Sequence, residues 1–287
     1  MLEHLGTDFC KTIRIPYCIE LTKYTQTDIC YARNIDLGSF FLFQPAAVML
    51  SVISACIILS IIFFIKKKYT AIGQNEMAFF FWISIIVILI EALLHSNTVN
   101  AYTDGYSFLA FAHMAAVTTL FWALFYNGLL GFKIVIDGTG TSLWVLRLTS
   151  CALFLVVFFS VSILTRLENE MWTTAVVAAF LGINGFFILA YTVMECILVF
   201  SYADNCWSLM ELFLALMSFG LGALVLFFSN TLCLQTKHYI DGSFLYSFFF
   251  LLGLMMLYKF WDSITKEEFE FFVDNDQNTW ALEKIID

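Results

Sequence analysis

Hydrophobic positions fall along this chain in seven long runs separated by short polar stretches, near Gln44 to Ile65, Met77 to His95, Tyr106 to Leu130, Leu143 to Leu164, Trp172 to Phe200, Trp207 to Ser229 and Ile240 to Trp261. Each run is close to the length of about twenty residues that an α-helix needs to cross the hydrocarbon core, and about twice what a barrel strand needs. Unpaired backbone groups are too costly in lipid to be left exposed, so the pattern predicts helices. The expected fold class is all-α: a polytopic membrane bundle of seven transmembrane helices over residues 44–261, preceded by a segment at 1–43 and followed by a tail at 262–287. Pro16 and Pro45 are the only prolines, so proline breaks none of the later spans.

Composition narrows the class. With 61% hydrophobic and 13% charged residues over 287 positions, the chain carries more apolar surface than a water-soluble domain of this length could bury. The net charge of −9 is concentrated in the tail, where Asp262, Glu267, Glu268, Glu270, Asp274 and Asp276 outnumber nearby cations. Such a tail is expected to bind neither nucleic acid nor anionic lipid.

Cations set the expected orientation. Lys66, Lys67 and Lys68 follow the first span directly, which predicts that this loop stays cytosolic, that the N-terminus is lumenal and that the C-terminus is cytosolic. Lys133, Arg147, Lys259, Lys266 and Lys284 fall on the same predicted side. Residues Met1 to Leu37 lack the apolar core of a cleavable signal peptide, so the first span is expected to serve as the targeting signal.

In this orientation Cys10, Cys18, Cys30 and Cys233 share the oxidising side, Cys206 faces the cytosol, and Cys56, Cys151 and Cys196 lie in spans. Two disulfides are expected among the first four. Three pairings are possible and spacing does not choose between them. A bond from the N-terminal segment to Cys233 would clamp that segment over the sixth loop.

Ionisable residues within the spans are costly and mark places to look for function. Glu91 and His95 stand one turn apart on the second span, His113 enters the third from the same side, and His238 with Asp241 borders the seventh. Imidazole and carboxylate ligands suit zinc, which raises an intramembrane zinc-dependent hydrolase as an alternative. There is no HExxH, and the groups come from separate elements, so the polar cluster Glu91, His95 and His113 reads as a hydrogen-bonded brace with no metal and no cofactor. Glu195 and Glu211 lie near cytosolic ends of their spans and are expected either to be solvated by headgroups or to pack between the fifth and sixth helices. Gly128 with Gly131, and Gly220 with Gly222, read as close helix packing. GxSxG, GxxxxGK[ST] and GxGxxG motifs are missing. A seven-helix receptor is a further alternative, but no DRY or NPxxY occurs.

The loops are more distinctive. Cys30 to Leu37 reads CYARNIDL, Lys68 to Glu76 reads KYTAIGQNE, Lys237 to Gly242 reads KHYIDG and Met255 to Asp262 reads MMLYKFWD. In this order, together with the group Gly131, Phe132, Asp137, Gly138 and Thr139, they resemble the fungal chitin synthase export chaperone family, over nearly the whole chain. One departure is local: Arg14 stands where that family usually has a first proline between its leading cysteines.

The resemblance implies a non-enzymatic chaperone of the endoplasmic reticulum membrane that binds a polytopic chitin synthase and promotes its folding and exit, supporting cell-wall chitin synthesis. It makes Lys68, Tyr69, Thr70, Ile72, Gly73, Glu76, His238, Tyr239, Asp241, Tyr258, Lys259, Trp261 and Asp262 candidate client-binding positions. The partners expected are the synthase, the bilayer and, through Asp274 to Asp276, vesicle coat machinery. The protein would travel with its client toward the plasma membrane if the two stay together.

Overall fold

A computed structural model describes residues 18, 30, 32–36, 41–68, 71, 73–96, 98–99, 103–132, 139–166, 170–202 and 207–286, with the backbone alone beyond Thr265. Among the described residues eight helices carry the fold: α1 (Pro45–Lys67), α2 (Gln74–Ser96), α3 (Asp104–Gly131), α4 (Gly140–Arg166), α5 (Glu170–Tyr202), α6 (Trp207–Phe227), the short α7 (Ser229–Gln235) and α8 (Gly242–Ile286). All but α7 contain a stretch long and apolar enough to cross a membrane, and in α8 that stretch is Gly242–Thr265. The seven spans match the seven hydrophobic runs within a few residues. Two two-residue strands, β1 (Ile35–Asp36) and β2 (Phe41–Leu42), form an antiparallel ribbon just before α1.

Local chemistry explains where the helices begin and end. Pro45 opens α1 at a position that needs no backbone donor, and Lys66 and Lys67 close it where the helix dipole favours cations. Gly73, at φ +66°, makes the left-handed turn into α2, and its carbonyl accepts from Met77 N at 2.8 Å. Asp241 caps α8 by accepting from Phe244 N at 3.0 Å. Thr139 does the same for α4, accepting from Ser142 N at 3.2 Å.

The side-chain pattern is that of a bundle solvated by lipid. On α1 the buried stripe is Ala47, Ser51, Ser54, Ile58, Ile61 and Ile65, while Met49, Val52, Ile53, Leu59, Phe63 and Phe64 face outward. Spacings of three and four keep one face inward, and small or hydroxylated residues there let helices approach closely. The hydroxyls cost little because each returns its hydrogen to its own helix, as Ser51 does to Ala47 O at 3.0 Å and Ser54 to Leu50 O at 2.8 Å.

Helix α3 is the centre of the bundle, with 78% of its most apolar window buried, and it packs against α2, α4 and α5. Helix α6 packs along α8, and α1 along α2. Helix α4 lies outermost, with 11% of its window buried. Phe80, Phe81, Leu120, Leu124, Leu254 and Phe260 fill the core. Gly128 and Gly131 permit the α3–α5 contact: a Cβ on Gly128 would come within 2.7 Å of Met194, and one on Gly131 would run into Leu198. Gly222 packs against Phe249 and Tyr246 of α8, but a Cβ on Gly220 would meet nothing within 4 Å. The second glycine pair is therefore divided, with one member in a packed seam and the other facing open space.

Candidate functional site

The four distinctive loop segments meet in pairs, one pair at each end of the bundle. At one end CYARNIDL lies on KHYIDG. Cys30 and Cys233 form a disulfide with Cα atoms 5.9 Å apart, inside the usual range for such bonds. Cys18 is also disulfide-bonded, and Cys10 and Cys206 lie outside the described residues. Around the Cys30–Cys233 bond, Cys30 N donates to Asn230 Oδ1 at 3.1 Å and Arg33 N to His238 O at 2.8 Å. The Arg33 guanidinium sits 4.7 Å from the centre of the Tyr239 ring, within cation–π range. Lys237 and His238 both take positive φ, at 54° and 66°, as the chain leaves α7, and His238 N donates back to Cys233 O at 3.0 Å. This strained turn is held by the contacts around it.

At the opposite end KYTAIGQNE meets MMLYKFWD. Lys68 pairs with Asp262, and its Nζ lies 5.7 Å from the Trp261 ring. Gln74 Nε2 donates to the last carbonyls of α1, Ile65 O at 3.0 Å and Lys66 O at 3.1 Å. Glu76, with no exposed surface, accepts from Ser142 Oγ at 2.9 Å, and Tyr126 donates to Ser142 O at 3.2 Å. One buried carboxylate thus ties α2 to α4 and, through Ser142, to α3. Lys259 reaches Glu211 at 3.3 Å. That pair joins α6 to α8 and replaces the headgroup solvation or α5–α6 packing expected for Glu211. Glu195 instead hydrogen-bonds Tyr191 of its own helix.

The candidate client-binding positions are therefore of two kinds. Glu76, Asp241 and Gly73 are buried and used internally, Asp241 as the α8 cap. Lys68 and Asp262 bind each other. His238, Tyr239 and Lys259 are exposed, and Tyr258 and Trp261 are half-buried. Tyr69, Thr70 and Ile72 lie outside the described residues.

Inside the bundle Glu91 Oε1 accepts from Ser247 Oγ of α8 at 2.8 Å and stands 3.6 Å from His95 Nε2. His113 of α3 is close enough to interact electrostatically with Glu91. Its Nε2 has no hydrogen-bond partner among the described residues, and neither has the side-chain amide of Asn184 on α5. Both side chains are buried, at 5% and 6% exposure, and both line a cavity of about 560 Å³ between α5 and α6.

This arrangement does not assemble the zinc site considered from the sequence. Asp241 is occupied as a cap, and His238 lies elsewhere, with Nδ1 3.2 Å from Cys30 Sγ. The one three-residue grouping with metal-ligand spacing among the described residues is Cys30, Cys233 and His238, and two of its members are joined in the disulfide. The cluster Glu91, His95 and Ser247 is a brace between α2 and α8.

The sequence reading missed Asn230, Ser142, Asn184 and Ser247. A lone Ser or Asn in an apolar run gives no periodic signal, although its hydrogen-bonding demand in lipid is one that could have been asked about.

Comparison with known proteins gives a consistent result. The family described as chitin synthase export chaperone matches residues 6–275. Relatives bearing that name include one from Aspergillus clavatus, 34% identical over 90% of this chain and 79% of its own, and one from Cryptococcus neoformans, 35% identical over 88% and 72%. A third, from Neurospora crassa, is 30% identical over 98% of this chain and 81% of its own. No solved structure matches the chain. Likeness over almost the full length, on a seven-span bundle whose distinctive loops meet two by two, establishes that the chain belongs to the chitin synthase export chaperone family.

Proposed function

We propose that this protein is a membrane chaperone that binds a polytopic chitin synthase in the endoplasmic reticulum and enables its folding and exit. The observation that carries this reading is the family match over residues 6–275. A synthase with many spans presents polar intramembrane groups before it is assembled, and only a partner in the same bilayer can cover them laterally. The outermost helix α4 offers a broad apolar face for packing against a partner within the bilayer, with Trp144, Leu148, Val156 and Phe159 exposed. The protein works by binding and carries out no chemistry on its client.

The orientation proposed has the disulfide end in the lumen and the Lys68 end in the cytosol. Two observations support it: Lys66 to Lys68 follow α1 directly, and a Cys30–Cys233 bond persists where the compartment is oxidising. In that arrangement His238 and Tyr239 are lumenal contacts for the client and Lys259 is a cytosolic one. The acidic stretch Asp274 to Asp276 is the segment offered to coat machinery. Lys68, Glu76, Asp241 and Asp262 hold the two ends in shape.

Site-specific photocrosslinking in native membranes tests the lateral contact. Crosslinkers placed at Trp144, Leu148 and Phe159 are expected to capture the synthase. A scan of all lipid-facing helices that captured none would contradict the reading.

A further inference from the structure

The cavity between α5 and α6 has a composition that a packing defect would not have. Its walls are overwhelmingly apolar, from residues such as Phe121, Phe180, Ile188, Met217 and Phe250. At its inner end stand Glu91, His95 and the two buried polar side chains, His113 and Asn184, that lack hydrogen-bond partners among the described residues. Leaving such groups unpaired in a medium without water costs about 1–3 kcal/mol each, so a partner that both donates and accepts is what the site lacks. Gly185 and Gly220 stand on facing walls, and a Cβ on either would meet nothing within 4 Å. The space they leave lies between two helices that touch each other sparsely.

Size and charge limit the occupant. A spanning helix about 30 Å long and 10 Å across fills roughly 2,000 Å³ or more, several times the 560 Å³ available. The volume falls instead within the range of about 300–1,000 Å³ typical of small-molecule sites. No Lys or Arg lines the cavity, so a phosphate headgroup would enter without a counter-charge, at high cost in low dielectric. Taking the roughly 30 Å³ that a water occupies in the liquid as the share of one heavy atom, 560 Å³ holds about nineteen atoms, too few for two long acyl chains and close to the fused-ring body of a sterol, whose tail would extend into the bilayer. What fits is one compact apolar body with a single hydroxyl, which gives a hydrogen to one of His113 and Asn184 and accepts from the other.

We propose that this cavity is a binding site for a sterol, entering from the bilayer between α5 and α6 with its hydroxyl at His113 and Asn184. The site is independent of the export reading and would stand if that reading failed.

The test uses the purified full-length protein in phosphatidylcholine nanodiscs with a photoreactive sterol, followed by peptide mapping of adducts. Adducts are expected on α5 and α6, at residues such as Leu189 and Met217, and excess unlabelled sterol should remove them. Gly220→Leu and Gly185→Leu each grow a side chain into the open space and should abolish labelling. Asn184→Leu should weaken it about tenfold. Leu59→Ala, on the exposed face of α1 and outside the cavity lining, should leave it unchanged. The intact Cys30–Cys233 bond on a non-reducing gel verifies folding, and with two cavity-filling variants a failure of one leaves the other to decide. The proposal is overturned if labelling survives both, if adducts spread evenly over the lipid-facing helices, or if diacylglycerol or phosphatidylcholine competes as well as sterol.

Discussion

Glu76 shows how this bundle uses charge at single positions. A carboxylate with no exposed surface is expensive unless it is bonded, and Ser142 Oγ at 2.9 Å answers part of that demand while tying α2 to α4. Glu76→Ala should cost about 1–3 kcal/mol, because the Ser142 hydroxyl loses its acceptor in a buried seam. Glu76→Gln keeps an acceptor and should cost less. Thermal unfolding of the detergent-solubilised variants measures both. At the other end Cys30→Ser removes a bond that closes a loop of 203 residues. It should lower stability by about 2–4 kcal/mol and shrink the mobility difference between reduced and oxidised protein on a gel to what the Cys18 disulfide alone contributes.

At the scale of helices, the α3–α5 seam depends on two small residues. Gly131→Leu would drive a side chain into Leu198 and Gly128→Leu one into Met194, so each should destabilise the bundle by about 1–3 kcal/mol. Gly220→Leu, facing open space, should be tolerated, and the same unfolding measurement separates the two classes. The Lys68–Asp262 pair joins the end of α1 to α8 at a partly exposed site. A double-mutant cycle there should give a coupling of about 0.2–1 kcal/mol, with the charge-swapped double variant recovering what either single reversal loses.

The spans were legible because their length is set by the bilayer, and α1 to α6 and the spanning stretch of α8, Gly242–Thr265, begin and end within a few residues of the hydrophobic runs. Helix α7 was not legible, since Ser229–Gln235 is too short for a period to show and falls in the stretch between the sixth and seventh runs that reads as a loop. Helix rotation was also hidden. Nothing along the chain says that Glu211 turns toward Lys259 on α8, or that Gly220 and Gly222, two residues apart, face different surroundings. Pairing between distant loops was legible only in part. The motifs are visible one by one, and the contacts of CYARNIDL with KHYIDG and of KYTAIGQNE with MMLYKFWD require the closed bundle.

At the scale of the molecule, the two ends are fastened differently, one by a disulfide and a cation–π contact, the other by an ion pair and a buried carboxylate. The proposed orientation, which puts the disulfide end outside the cytosol, accounts for that asymmetry because such a bond persists in an oxidising compartment. Glycan-acceptor tags placed beside Cys30 and after Thr265 test it, and modification of the first tag alone is expected. The export reading is tested most directly by depleting this protein in its native cell while following tagged chitin synthase and wall chitin. Retention of the synthase in the endoplasmic reticulum with a fall in chitin is the predicted result. Normal delivery of the synthase to the cell surface with normal chitin would contradict it.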